Sequence, residues 1–85
     1  MSDKKVKFYG TDFCPDCYRA KRIFRKLDID FEWYNTDRDS TARQFVISVN
    51  SENCSVPTIV FPDGTILVEP SNAILETKLK RMRSA

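Results

Sequence analysis

Thr11-Asp12-Phe13-Cys14-Pro15-Asp16-Cys17-Tyr18 sits between an apolar stretch with strand character and a long stretch with helical period. Two cysteines three positions apart at such a junction read as a thiol/disulfide redox pair. Pro15 suits the first helical position, because the leading N–H groups of a helix lack intrahelical partners and proline's φ is already helical. Cys14 then stands at the helix N-terminus, where unpaired N–H groups and the macrodipole favour negative charge, so a thiolate is the expected form. Cys14 is the candidate nucleophile. Cys17, one turn deeper and more buried, is the candidate resolving thiol.

Positions i and i+3 of a regular helix hold their Cβ atoms about 5–6 Å apart, whereas a disulfide wants about 3.5–4.5 Å. A Cys14–Cys17 bridge must therefore tighten the first turn, and so short a ring removes only on the order of 2 kcal/mol of unfolded-chain entropy. A bridge of that kind is made and broken, which suits a carrier better than a staple. A permanent structural disulfide is rare in a reducing compartment. A structural zinc site needs four ligands, commonly cysteine and histidine, and the chain has three cysteines and no histidine, so no metal is expected.

Before the motif, Lys5 to Gly10 places Val6 and Phe8 in alternation with Lys7, a first strand. After it, Ala20, Ile23, Phe24 and Leu27 recur at helical spacing, giving a first helix from Pro15 to about Leu27. Its other faces carry Arg19, Lys21, Arg22, Arg25 and Lys26, a solvated surface. Lys21 shares the azimuth of Cys14 but stands roughly 10 Å along the axis, so backbone N–H groups outweigh it at that sulfur. Asp16 lies about 200° around from Cys14 and faces solvent.

Asp30 to Tyr34 reads as a second strand with Phe31 and Trp33 on one face. Thr41 and Gln44 match a capping box for a second helix from about Thr41 to Val49, with Ala42, Phe45, Val46 and Val49 facing the core. Asn50 to Ser55 is a loop holding Cys54. Val56-Pro57-Thr58 opens a third strand through Phe61, Pro62-Asp63-Gly64 turns, and Thr65 to Val68 returns antiparallel. Ser71 is the expected N-cap of a last helix through about Met82, with Ala73 or Ile74, Leu75 and Leu79 as its apolar side. The order is β-α-β-α-β-β-α.

The 85 residues form one domain, 1–85, with a modest core; 41% are apolar and 31% charged, an ordinary globular composition. A net charge of +2 implies no nucleic-acid or membrane footprint. The start, Met1-Ser2-Asp3-Lys4-Lys5, is polar, and no apolar run reaches signal-peptide or spanning length, so a cytoplasmic location is expected.

As an ensemble, Cys14-Pro15-Asp16-Cys17 with Tyr18-Arg19-Ala20-Lys21, Val56-Pro57, Asp63-Gly64 and the small last helix resembles a glutaredoxin-like member of the thioredoxin superfamily, from about Val6 to Leu79. The resemblance implies a thioredoxin-like α/β fold with a four-stranded mixed sheet and a cis peptide before Pro57. It also implies that the Val56 backbone pairs with an extended thiol substrate like an added strand. Beyond Cys14 and Cys17, the substrate contacts it implies are Thr11, Phe13, Pro15, Asp16, Val56, Pro57, Ser71 and Asn72. Glutathione-using members carry a basic residue three before the first cysteine, a tyrosine before the second and Gly-Gly-acidic ahead of the last helix. Here Thr11, Asp16 and Glu69-Pro70-Ser71-Asn72 stand there, a poor match to the two carboxylates of glutathione.

Mycoredoxins are similar in Thr11, Phe45-Val46, Ser48-Val49-Asn50, Val56-Pro57-Thr58, Asp63-Gly64 and Pro70-Ser71, and their thiol, mycothiol, has no carboxylate. They have Gly and Tyr between the cysteines where this chain has Pro15 and Asp16. The electron source stays open among glutathione, mycothiol and a thioredoxin reductase, with no cofactor held tightly. The expectation is a monomeric dithiol oxidoreductase acting on a disulfide-containing protein or a small-thiol mixed disulfide. Its rivals are a non-catalytic or iron-sulfur-binding module of the same fold and, less favoured, a nucleic-acid accessory. Cys54, three residues before Pro57, is read as a small buried or incidental cysteine in preference to an auxiliary thiol.

Overall fold

The computed structural model describes residues 5–51 and 53–84, so the polar segment 1–4 and Glu52 of the 50–55 loop lie outside the described residues. Seven elements follow in the expected order. They are β1 (Val6–Gly10), α1 (Pro15–Lys26), β2 (Phe31–Asn35), α2 (Ser40–Val49), β3 (Thr58–Val60), β4 (Ile66–Val68) and α3 (Asn72–Ser84). The sheet order is β2-β1-β3-β4. β2 runs parallel to β1 with Phe8 opposite Trp33. β3 is antiparallel to β1 with Tyr9 opposite Thr58, and β4 antiparallel to β3 with Thr58 opposite Val68. This is the four-stranded mixed sheet of a thioredoxin-like fold.

Alternation along β1 divides the core between the two sheet faces. On one face Val6 and Phe8 meet Ala20, Ile23 and Phe24 of α1, Ile59 of β3, and Leu75 and Leu79 of α3. On the other, Tyr9 packs with Ala42 and Val46 of α2. Phe8 is fully buried, with ring centroids 5.6 Å from Phe24, 5.1 Å from Phe31 and 5.4 Å from Trp33. Full burial of a ring such as Phe8 or Phe24 contributes about 1.5–3 kcal/mol, so this ring cluster, with Phe31 and Trp33 partly buried against it, anchors the strand that leads into the cysteine motif.

Two readings of α2 change. Asp39, not Thr41, caps α2: its Oδ1 accepts the N–H groups of Thr41 at 3.0 Å and Ala42 at 3.1 Å, so the helix begins at Ser40. A carboxylate one residue upstream satisfies two orphan donors at once and displaces the Thr41–Gln44 capping box. Val49, at the end of that helix, is 37% exposed and does not join the core.

Ser71 does cap α3, its Oγ accepting the Ile74 N–H at 3.2 Å. Leu75 and Leu79 set the buried azimuth, so Ile74, about 100° away, and Ala73, about 200° away, are exposed. Near the end of α3, Arg83 Nη1 donates to the Leu27 carbonyl at 2.6 Å, satisfying an acceptor at the end of α1. Among the described residues, no helix is long and apolar enough to cross a membrane.

Candidate active site at the end of the sheet

Cys14 is the N-cap of α1, with extended backbone (φ −118°, ψ 107°) and Pro15 directly after it. Its carbonyl accepts the first helical hydrogen bond from Tyr18 at 3.0 Å, while its Sγ accepts the N–H of Cys17 at 3.1 Å. The sulfur thus occupies the place of a capping oxygen and receives one of the donors that a helix start leaves unpaired. Cys14 is half-buried, whereas Cys17 is 1% exposed. Burial, followed by its hydrogen bond to Cys14, pushes the Cys17 thiol up to about 12; a backbone group of Thr11 and the charge of Lys21 act the other way. The two sulfurs have different environments, one at the surface on a helix start and one behind it in the core.

Gly10 makes room for the deeper sulfur. A Cβ built there would lie 2.6 Å from Cys17 Sγ and 3.0 Å from the Trp33 ring, closer than packed atoms tolerate. The carbonyl of Gly10 is fixed by buried Thr36, which donates its N–H at 2.9 Å and its Oγ1 at 3.3 Å. Phe13 and Tyr18 flank Cys14 in the open, at 94% and 65% exposure. With Asp12, Cys14 and Pro15 they line a shallow groove of about 350 Å³.

The register brings the other predicted residues to the same end of the sheet. Tyr9 pairs with Thr58, so the chain leaving β1 toward Cys14 and the chain entering β3 from Pro57 share one edge of the fold. The Val56–Pro57 peptide is cis. Thr58, fully buried, donates Oγ1 to the Ser55 carbonyl at 2.7 Å; it also accepts at 3.3 Å from Asn50 Nδ2, which reaches the Val46 carbonyl at 2.9 Å. The Pro57 carbonyl is taken by the Glu69 N–H at 2.8 Å, which draws the approach to α3 to the same place.

Asp16 and Asn72 are joined by a residue first read as solvated surface. Arg19 donates Nη1 to Asp16 Oδ1 at 3.0 Å and Nε to Asn72 Oδ1 at 2.8 Å, tying the first turn of α1 to the start of α3. Asp16 is thus neutralised by its neighbour one turn on, and the Ser71 hydroxyl is engaged in capping its own helix. Lys21 lies over the Trp33 ring, 3.5 Å from its centroid, on the Cys17 side of the helix.

Cys54 is not brought to the motif: it packs against the α2 cluster on the opposite sheet face, with Arg43 Nη1 3.7 Å from its Sγ. Among the described residues, no three His, Cys, Asp or Glu side chains gather in a way that could hold a metal ion. The residues that sequence reading passed over are the supports, Gly10, Thr36, Asn50, Thr58 and Arg19. One signal was present, since Gly10 is one of only two glycines and directly precedes the motif.

Comparison with known proteins agrees with this geometry. The Glutaredoxin family model matches residues 6–66. A Mycobacterium tuberculosis protein that carries the glutaredoxin name is 34% identical over 82 residues, covering 96% of this chain and 98% of that one. Mycoredoxin 1 of Corynebacterium glutamicum is 33% identical over 78 residues, covering 91% and 95% respectively. Among solved structures, the glutaredoxin of Archaeoglobus fulgidus superposes with a TM-score of 0.72 at 25% identity, over 96% of this chain and 88% of that one.

Proposed function

The chain belongs to the glutaredoxin family, and from that premise we propose that it is a dithiol oxidoreductase that reduces disulfides or mixed disulfides through Cys14 and Cys17. The observation that carries the reading is the Cys17 N–H aimed at Cys14 Sγ, 3.1 Å away, with the Cys17 thiol buried behind it. A sulfur that already accepts a hydrogen bond at a helix start is prepared to carry negative charge and to attack.

In the proposed cycle Cys14 sulfur attacks one sulfur of the substrate disulfide, forming a mixed disulfide and expelling the other sulfur as a thiolate. An extended substrate lies along Val56, whose backbone N–H and C=O have no backbone partner among the described residues, beside cis Pro57. Phe13 and Tyr18 offer it apolar contact next to the reacting sulfur. Cys17 then displaces the substrate from Cys14, or an external thiol does so. The oxidised pair is returned to the dithiol by a small thiol or a reductase. Thr11, Pro15, Asp16, Ser71 and Asn72 frame this site as substrate contacts, Asp16 and Asn72 through Arg19.

For the electron source we favour mycothiol. The likeness to Mycoredoxin 1 supports it, as does Thr11 standing where a cation would meet a carboxylate. We place the protein in the cytoplasm as a monomer. The test is reduction of a small mixed disulfide with mycothiol, glutathione or thioredoxin reductase as the electron source. The account expects loss of activity in Cys14→Ser with every source and the fastest turnover with mycothiol. Activity surviving in Cys14→Ser overturns the assignment, and faster turnover with another source overturns the choice of thiol alone.

A further inference from the structure

Cys17 sits at a point where three side chains converge. Measured from the one point where a Gly10 Cβ would stand, its Sγ is 2.6 Å away and two ring carbons of Trp33 are 3.0 Å away, so sulfur and indole edge are neighbours over the glycine. Lys21 follows Cys17 by four residues, which places the two side chains on one helix face. Its ammonium rests over that same indole, 3.5 Å from the centroid, a cation–π placement that holds a flexible side chain in one position. Among the described residues, the ionisable groups acting on Cys17 are Cys14, the N-cap of α1, and Lys21 on that helix; the strands packed against it present Gly10 and Trp33, which carry no charge.

We infer that Lys21, held on the face of Trp33, is a positioning residue for the resolving step: its charge stabilises the Cys17 thiolate as that thiolate forms next to the mixed disulfide. This rests on the dithiol reaction proposed above and assigns it a residue outside the motif. In the step, the Cys17 proton passes to water and Cys17 sulfur attacks Cys14 Sγ. The Cys14–Cys17 bond forms as the bond from Cys14 to the substrate sulfur breaks, and the substrate leaves as a thiolate with the electron pair of that bond. In this step Cys17 sulfur is oxidised to the disulfide level and the substrate sulfur is reduced to a thiolate; over the attack and the resolution together the cysteine pair loses two electrons and the substrate disulfide gains them. A buried thiol resists ionisation, and a fixed ammonium one helical turn away offsets part of that resistance where solvent cannot. Lys21 has no such role toward Cys14, which stands nearly two turns away from it along the axis.

The steps can be separated with limiting dithiodipyridine, a neutral disulfide that releases one coloured thiopyridone when Cys14 attacks and a second when Cys17 resolves. In a Cys54→Ser background, stopped-flow absorbance resolves a bimolecular first phase and a concentration-independent second phase. Lys21→Met is expected to leave the first phase unchanged and to slow the second about threefold to tenfold at neutral pH, its pH profile moving up by about half a unit to one unit. Lys21→Arg is expected to restore the rate, and Trp33→Leu, which removes the platform, to slow the second phase with the lysine still present. A second phase of ordinary rate and pH profile in Lys21→Met overturns the inference alone. A wild-type protein with a first phase but no second overturns it together with the dithiol reaction.

Discussion

Arg19 Nε donates to Asn72 Oδ1 at 2.8 Å across 53 residues of chain, and the same guanidinium holds Asp16 at 3.0 Å. One cation therefore links the turn between the cysteines to the start of α3. The pair is half exposed, so removing it costs under about 1 kcal/mol of stability. Its effect belongs on the site's charge. Asp16→Asn leaves the Arg19 charge uncompensated between the first turn of α1 and the start of α3, its bond to Asn72 kept, and the KM for a glutathione mixed disulfide is expected to fall several-fold. The KM for an uncharged mixed disulfide is expected to stay within twofold. Steady-state kinetics with both substrates checks this.

Gly10→Ala tests the packing behind Cys17. The added methyl must displace either a buried sulfur or the edge of Trp33, so a loss of about 1–3 kcal/mol is expected from urea denaturation of the reduced protein. The site should slacken as well, with the resolving step slowed.

Burial of Cys17 predicts the alkaline behaviour of the reduced protein. Its thiol is raised from an ordinary 9.0 to about 12. Between these values the unfolded chain has released the proton while the folded chain keeps it, so the folded state is disfavoured as pH rises. Stability should fall from about pH 9 upward by as much as about 1.4 kcal/mol per pH unit. The window to use is pH 9 to 10, below the titration of Tyr9, raised by burial, and Tyr34, raised by its hydrogen bond to Glu32. Denaturation midpoints in that window should fall more steeply for the wild type than for Cys17→Ser.

Phe13, almost wholly exposed next to the nucleophile, stabilises little by packing. Phe13→Ala should change stability by no more than about 0.5 kcal/mol. The KM for a disulfide-containing protein should nevertheless rise several-fold while that for a small disulfide stays constant, as paired assays would show.

Most of the fold was legible because its signals are local. Pro15 after Cys14 marks a helix start, Asp63-Gly64 marks a hairpin, and the 3.6-residue period of Ala20, Ile23, Phe24 and Leu27 fixes the buried face of α1. The cysteine pair was legible for the same reason. What escaped depends on tertiary packing. Asp39 outcompeted a textual capping box because its carboxylate reaches two N–H groups, and the azimuth of α3 was set by Leu75 and Leu79 meeting the sheet. The Arg19 clasp and the Lys21–Trp33 contact each join segments far apart in sequence, and neither periodicity nor spacing encodes them.

The most direct test of the central claim is trapping of the mixed disulfide. Cys17→Ser treated with a small disulfide and digested for mass spectrometry should carry the adduct on Cys14, and the wild type under the same conditions should carry a Cys14–Cys17 bridge and no adduct. An adduct found on Cys54 alone, or a wild-type protein whose Cys14 adduct persists unresolved, would contradict the account.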